Sequence, residues 1–441
     1  MSENTKLSAG RFTLLGFQHM FAMFGATILV PILTGLSTSS TLLFAGLGTL
    51  LFHLITGRKV PAFLGSSFAF LGGYAAVQTM VTSANPELNW IPYAGVGVAC
   101  AGLLYVIVSM LFKAFGPQRV MRFFPPIVTG PIIICIGITL ANSAINNCAD
   151  NWWIALLAVA IVIVCNIWGK GMVKIIPILL GVVGSYAVAA ICGQVDFTSV
   201  KEAAWVGLPF QMKDTVFSFF QGGADGALLV STIVAMVPIA IATMMEHIGD
   251  MCAISSTVGK NFVADPGLHR TLLGDGTATM LAALFGAPAN TTYGENTGVL
   301  ALTGVYNPAV VRMAAVLAVV FSFCPKFAAL IGCMPAATIG GVSLILYGMI
   351  SAVGVRNVVE NQVDFTKSRN VIIAALIMSL ALGINFSNDG AIAFTIGSVS
   401  ISLSGLAVAS VVGILLNAIL PGNDYKFGAN EQGDESVNFK V

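Results

Sequence analysis

Long apolar segments recur along almost the whole chain and are separated by short polar connections. Most are close to the length that a helix needs to cross the hydrocarbon core of a membrane, about 20 residues. The pattern predicts an all-α polytopic membrane protein with fourteen transmembrane spans. The predicted spans lie near residues 14–34, 40–57, 61–80, 91–113, 124–143, 152–168, 175–193, 226–247, 270–286, 289–303, 308–331, 334–353, 370–386 and 392–420.

Composition supports this class. The 441 residues are 57% hydrophobic and only 9% charged, whereas a soluble globular domain carries about 25% charged residues. A water-soluble enzyme is therefore excluded. The net charge of +1 is too balanced for a nucleic-acid-binding protein. The eight cysteines are scattered without a CxxC pair, so we expect packing residues rather than disulfides or metal ligands.

Positive charge tests the topology. With the N-terminus in the cytoplasm, all 20 lysines and arginines except Lys201, Lys213 and Lys326 fall on the cytoplasmic side. Cytoplasmic loops are enriched in Lys and Arg, so the number of spans and their orientation support each other. We expect a multi-pass protein of the plasma (inner) membrane with both termini cytoplasmic.

The longest polar connection, 196–225, divides the chain into two halves of seven spans. Because seven is odd, the halves have opposite orientation, as in inverted-repeat transporters. His19 precedes Phe68 by the same number of residues as Glu246 precedes Glu295. This matching spacing predicts an inverted repeat.

Two spans are broken by polar residues and glycines. Residues 290–298 are all polar or glycine, and residues 65–73 are rich in glycine and serine. Irregular backbone survives in hydrocarbon only where protein or a cavity covers it. We expect two discontinuous segments that meet at the membrane midplane and turn free N–H groups toward a ligand; the alternative is a pair of loops outside the membrane.

Three carboxylates belong to apolar spans: Glu246, Asp250 and Glu295. Each costs roughly 2.5–3.5 kcal/mol on insertion scales. Glu246 and Asp250 are four residues apart and share a helix face. We expect substrate binding or proton transfer from these side chains, the alternative being a structural buried carboxyl. Asp275 is expected near the cytoplasmic surface, in an interfacial role at a helix end.

Intramembrane His19 and His247 adjoin these polar landmarks, and we expect a hydrogen-bonded scaffold role for both. No HExxH metal spacing, phosphate-binding loop or nucleophile elbow occurs, so we expect no metal, no cofactor and no enzyme. Uphill transport then needs an ion gradient. A proton is the natural coupling ion, since burial favours the protonated form of an unpaired carboxylate; sodium is the alternative.

The sequence resembles the nucleobase–ascorbate transporter family. Glu295, Asn296, Gly298, Thr303 and Gly304 stand at the positions that the family signature fixes. Further segments similar to the bacterial uracil permease branch are 61–70, 246–249, 290–295 and 340–348. The resemblance extends over nearly the whole chain.

The resemblance implies short antiparallel strands in spans three and ten and a division into two domains. The core domain would comprise 1–115 and 226–333, and the gate domain 116–195 and 334–420, with an extracellular linker at 196–225 and a cytoplasmic tail at 421–441.

The resemblance also assigns roles. Glu246 and Glu295 would bind the base through their carboxylates, and the backbone amides of Phe68 and Gly294 would donate to its carbonyl oxygens. Ser67 and Tyr293 complete the implied substrate site, and Glu246, Asp250 and Glu295 would couple protons. The other implied roles are site support by Gln18, His19, His247 and Asn296, and gating by Ser343 and Tyr347.

One residue departs from the best-known uracil permease pattern, which has His where this chain has Asp250. That difference leaves the proton path open.

We therefore expect a proton-coupled symporter that imports uracil by an elevator motion of the core domain against the gate domain. The expected partners are uracil, H+ and membrane lipids, with no nucleic acid, and a homodimer is compatible with the resemblance. The alternatives are a symporter for xanthine, uric acid or another pyrimidine, and an anion exchanger of the same fold.

Overall fold

The computed structural model describes residues 8–387, 390–397, 399–423 and 425, without the side chains of Ala9, Glu295, Leu302 and Ser400. The predicted cytoplasmic tail therefore lies almost entirely outside the described residues. Helices dominate both halves of the chain.

The first half holds seven long helices and one short strand, with one-turn helices between some of them. In chain order they are α1 (Ala9–Thr34), α2 (Thr38–Ile55), β1 (Leu64–Ser66), α3 (Leu71–Ala84), α4 (Trp90–Phe115), α5 (Pro126–Asp150), α6 (Trp152–Ile167) and α7 (Pro177–Ile191).

The second half follows a connection of short helical turns between Thr198 and Gly222. Its elements are α8 (Gly226–Met236), α9 (Ile239–Val258), α10 (Leu268–Leu284), β2 (Asn290–Thr292), α11 (Gly294–Thr303), α12 (Pro308–Ser322), α13 (Pro325–Gly332), α14 (Ala336–Glu360), α15 (Ser368–Asn385), β3 (Ala391–Ile396), β4 (Val399–Ser404) and α16 (Gly405–Ile419).

Seven helices of the described chain are long and apolar enough to cross a membrane, when α8 and α9 are taken as one. An eighth is added if α12 and α13, which are bent by 88°, form one span. Three shorter apolar helices, α6, α7 and α16, accompany them. The chain is a multi-pass membrane protein, and the number of fourteen spans stays a prediction.

Small residues let the helices pack closely. Helices α5 and α14 run antiparallel: Gly130 lies beside Gly354, and Ala144 beside Gly340. A Cβ atom on Gly354 would lie 2.5 Å from the backbone nitrogen of Ile134. Contacts of this kind are typical of membrane helix pairs, which associate through van der Waals packing of small residues.

Strands β1 and β2 pair antiparallel, with Gly65 opposite Thr291. Hydroxyl groups of neighbouring helices cover backbone atoms of both strands. The Thr49 hydroxyl accepts a hydrogen bond from the backbone N–H of Leu64 at 2.9 Å, and the Thr279 hydroxyl donates to the carbonyl of Asn290 at 2.9 Å. Short strands are thereby tolerated in the protein interior, where water does not satisfy backbone groups.

The prediction of a single span at 392–420 is wrong in its first half. Strands β3 (Ala391–Ile396) and β4 (Val399–Ser404) pair as an antiparallel hairpin, and the helix begins only at Gly405. Ile392, Phe394 and Ile396 alternate with smaller side chains, which is the two-residue period of a strand. Gly397, at φ 62°, begins the reversal. Mean hydropathy alone does not distinguish this pattern from a helix.

We expect Gly354→Ala to destabilise the protein, because the added methyl would collide with the backbone of α5. Overpacking of this kind costs about 1–3 kcal/mol, measured as a lower midpoint of thermal unfolding in detergent. Gly348→Ala is the matched control, since a Cβ at Gly348 of the same helix meets nothing within 4 Å. Equal midpoints for the two variants would contradict the packing described here.

Candidate functional site

A cavity of about 460 Å³ lies between the β1–β2 sheet and the α5–α14 helix pair. Ligand sites usually measure about 300–1,000 Å³. One wall is formed by Phe68, Glu246, Gly249, Asp250, Thr291, Thr292, Tyr293 and Gly294, and the opposite wall by Ile133, Met349, Ile350, Val353 and Asn357.

Two helix N-termini begin at this cavity. A one-turn helix starts at Phe68 and continues into α3, and α11 starts at Gly294. The residues before them, Ser67 and Tyr293, make no side-chain capping hydrogen bond. The first N–H groups of a helix lack intrahelical acceptors and carry partial positive charge. The site therefore offers hydrogen-bond donors to a ligand oxygen.

Of the two glutamates predicted for the site, the structure describes the side chain of Glu246 alone. Glu246 lies on α9, is half-buried and lines the cavity. Glu295 follows Gly294 in α11, but its side chain lies outside the described residues. The cavity lined by the two helix N-termini is thus also lined by at least one carboxylate acceptor.

Asp250, one helical turn after Glu246, also lines the cavity and is 8% exposed. The hydroxyl of Thr292 donates a hydrogen bond to its Oδ2 at 2.8 Å. Asp250 is thus tied to the end of β2, a contact that the sequence analysis missed. The polar run 290–298 was the available signal, since it contains Thr292.

The prediction that Asp275 has an interfacial role at a helix end is wrong. Asp275 is fully buried within α10, and its Oδ2 lies 2.9 Å from Nδ1 of His247, which is also fully buried. The neighbouring Gly276 packs against the backbone of Gly102, so α4 covers this part of α10. Local sequence gave no sign of the pairing, because His247 belongs to a different helix.

His19 is buried on α1 and contacts α11. The amide nitrogen of Asn296 donates to the backbone carbonyl of His19 at 3.1 Å and lies 3.2 Å from its Nδ1. Both residues thus join two helices beside the cavity. Gln18 is buried and contacts Met172, and it does not line the cavity.

Tyr293 is buried and lines the cavity, but its hydroxyl serves the sheet. It donates to the backbone carbonyl of Ser66 at 2.9 Å. Its ring lies against Gly65, where a Cβ would come within 2.4 Å of a ring atom. Tyr293 therefore fixes β1 against α11.

Of the two predicted gating residues, Tyr347 contacts the site through one aromatic pair. The ring of Tyr347 on α14 meets the ring of Phe68 edge-on, with centroids 5.5 Å apart. Ser343 and Tyr347 are buried and do not line the cavity. The hydroxyl of Ser67 is buried without a hydrogen-bond partner among the described residues. Phe68 thus lies at the contact between the β1 segment and α14, and Ser67, which precedes it, does not line the cavity.

Comparison with known proteins identifies the family of the chain. The model of the Permease family, the nucleobase–ascorbate transporters, matches residues 10–390. The chain belongs to this family. Its members are transporters, so this protein is a transporter and not an enzyme. The resemblance found in the sequence is confirmed.

Relatives are similar over most of their length. A uracil permease of Bacillus caldolyticus is 42% identical over 426 residues, which is 94% of this chain and 93% of that protein. A uracil permease of Bacillus subtilis (strain 168) is 39% identical over 437 residues, 96% of this chain and 94% of that protein.

Among solved structures, the transmembrane domain of the cyanobacterial bicarbonate transporter BicA superposes with a TM-score of 0.57. It covers 92% of this chain and 96% of that domain at 16% identity. The similarity shows a shared membrane fold and no more.

We expect Tyr293→Phe to lower stability, because it leaves the Ser66 carbonyl without its phenol donor. A buried acceptor left unpaired costs about 1–3 kcal/mol, measured by thermal unfolding in detergent. Tyr306→Phe is the control, because Tyr306 makes no hydrogen bond within the described chain. A loss no larger than that of the control would contradict the hydroxyl's role.

Proposed function

We propose that this chain is a proton-coupled symporter that imports uracil across the plasma membrane. The observation that carries the proposal is a cavity that is lined both by Glu246 and by two uncapped helix N-termini, at Phe68 and Gly294. The relatives named uracil permease, 42% and 39% identical over most of the chain, support uracil as the substrate.

The chemistry of the base fits these groups. Uracil alternates N–H donors with carbonyl acceptors around a planar ring. Carboxylates accept from N–H groups, and free backbone amides donate to carbonyl oxygens. Glu246 and Glu295 take the N–H groups, the amides of Phe68 and Gly294 take the oxygens, and Ser67 and Tyr293 border the base.

The fold proposal is fourteen spans in two inverted repeats. Helix contacts support it, since α2 packs on α12 and α4 packs on α10, while α6 packs on α7 and α15 on α16. When the spans of the two halves are matched in order, α2 corresponds to α10 and α4 to α12, so the first two contacts are equivalent. The pair α6–α7 corresponds in the same way to α15–α16. The hydroxyl of Thr49 on α2 donates to the carbonyl of Leu64 in β1, as that of Thr279 on α10 donates to the carbonyl of Asn290 in β2.

The proposed mechanism is an elevator motion. Residues 1–115 and 226–333 form the moving core, and 116–195 and 334–420 form the gate. In support, the core supplies one cavity wall, and α5 and α14 of the gate supply the other. The cavity continues to Lys174 and Arg356, which the charge distribution puts on the cytoplasmic side. In the proposed mechanism this arrangement is the inward-facing state.

Proton coupling rests on Glu246, Asp250 and Glu295. A charged carboxylate inside the membrane costs roughly 2.5–3.5 kcal/mol on insertion scales, and a proton removes that charge. Loading of proton and uracil outside and their release inside would couple uptake to the gradient. Both termini are cytoplasmic in this scheme.

Two alternatives differ in substrate. Xanthine, uric acid or another pyrimidine would use the same donors and acceptors. An anion exchanger shares the fold, as BicA does, but Glu246 and Asp250 on the cavity wall would repel an anion when charged. The proposal therefore favours a neutral base.

The first test is uptake of radiolabelled uracil into proteoliposomes, with and without an inward proton gradient and without sodium. We expect accumulation only under the gradient. Uptake that requires sodium would show that sodium, and not the proton, is the coupling ion. Absence of uracil uptake, with uptake of xanthine or bicarbonate instead, would overturn the substrate assignment.

A second test changes the cavity carboxyl. We expect Glu246→Gln to reduce uracil uptake about 10- to 100-fold, since a hydrogen bond to a charged group contributes about 1.5–3 kcal/mol. Glu360→Gln is the matched control: it lines the cavity mouth and pairs with Arg356 in the same helix, and uptake should stay within about twofold. Normal uptake by Glu246→Gln in protein of normal expression would exclude Glu246 from the site.

A further inference from the structure

Asp275 is a fully buried carboxylate that the proposed transport mechanism does not use. It lies in the interior of α10, and within the described chain no Lys or Arg forms an ion pair with it. Its polar contact is Nδ1 of His247 on α9, at 2.9 Å. Such buried pairs are weak evidence for stability, because desolvation offsets their attraction. A contribution to stability therefore does not explain why this pair is present.

The contact continues beyond His247. Nδ1 of His247 also lies 3.5 Å from the hydroxyl oxygen of Thr292. That hydroxyl donates its single proton to Oδ2 of Asp250 at 2.8 Å. Nδ1 carries at most one proton, so its N–H is shared between the oxygen of Thr292 and the nearer carboxylate of Asp275. The four groups form a series of contacts that leads from Asp275 through His247 and Thr292 to Asp250.

The orientations of the two middle groups, His247 and Thr292, are restricted. The ring of Phe52 meets the His247 imidazole edge-on, with centroids 6.3 Å apart. Thr292 is the last residue of β2 and pairs with Leu64 of β1. The nearby phenol of Tyr105 donates to Thr243 at 2.6 Å. Rotation of the imidazole is therefore opposed by Phe52 on one side and by Asp275 on another.

Only one end of this series of contacts reaches the cavity. Thr292 and Asp250 line it, whereas Asp275 and His247 do not. Asp275 can therefore act on a ligand or proton in the cavity only through the groups between them.

We propose that Asp275, acting through His247 and Thr292, positions the Asp250 carboxyl at the cavity wall, which makes Asp275 and Thr292 positioning residues for transport. This inference rests on the proposed function for its uptake readout. It goes beyond that function because it assigns a role to a carboxylate outside the cavity and to a hydroxyl of the sheet.

The first test compares two substitutions at Thr292. Thr292→Val keeps the shape of the side chain and removes the hydroxyl, and Thr292→Ser keeps the hydroxyl. We expect Thr292→Val to lower uracil uptake about tenfold, the effect of losing one hydrogen bond to a charged group, and Thr292→Ser to stay within about twofold. Equal uptake by the two variants overturns the proposal.

The second test combines Asp275→Asn with Thr292→Val. If both act through one sequence of contacts, the double variant loses about as much uptake as either single variant, because contacting residues are not additive. Losses that multiply, to about 100-fold, mean independent effects and overturn the proposal. Where Asp275→Asn fails to fold, judged by size-exclusion chromatography, the Val and Ser comparison at Thr292 decides.

A spectroscopic readout separates this proposal from the proposed function. The infrared carboxyl band of Asp250 is assigned as the difference between the wild type and Asp250→Asn. We expect the band to shift in Thr292→Val and in Asp275→Asn and to stay in place in Thr292→Ser. An unchanged band in the first two variants overturns the positioning role even if uracil is transported, and a shifted band supports it even if another base is the substrate.

Discussion

The site depends on one constraint: backbone polar groups within the membrane interior must find partners in the protein. Three-residue strands leave many such groups, and side chains of the surrounding helices satisfy them. Thr49 covers Leu64, Thr279 covers Asn290, and the phenol of Tyr74 accepts from the backbone N–H of Ala289 at 2.8 Å. Because helices on both sides hold the strands, the helix N-termini that follow them are fixed in position. The cavity can therefore present backbone donors without support from water.

Sequence reasoning located the broken segments because they interrupt the hydropathy pattern with polar residues and glycine. It also placed Glu246 and Asp250 on one face, since four residues make about one helical turn, and both line the cavity. The repeat landmarks placed Phe68 and Glu295 in comparable segments. Each of these signals is local or periodic, and for this reason the chain displays it without a structure.

Other features depend on contacts between distant segments. Asp275 has Arg270 five positions earlier and three glycines nearby, which is typical of a helix end at the membrane surface. Its burial is set by α4 and by His247, neither of which a local pattern specifies. The β3–β4 hairpin was missed for a different reason: the alternation of Ile392, Phe394 and Ile396 was visible, but mean hydropathy averages it out.

The intramembrane carboxylates differ in access, and that difference separates their roles. Glu246 is half-buried against the cavity, Asp250 is 8% exposed and bonded to Thr292, and Asp275 is fully buried against His247. A carboxyl that exchanges a water contact for a ligand has to face the cavity, as Glu246 does. A fully buried carboxyl cannot exchange partners unless the packing of α4 against α10 opens. Asp275 can therefore contribute through geometry, while Asp250, between the two, is open to the cavity on one side and held by the sheet on the other.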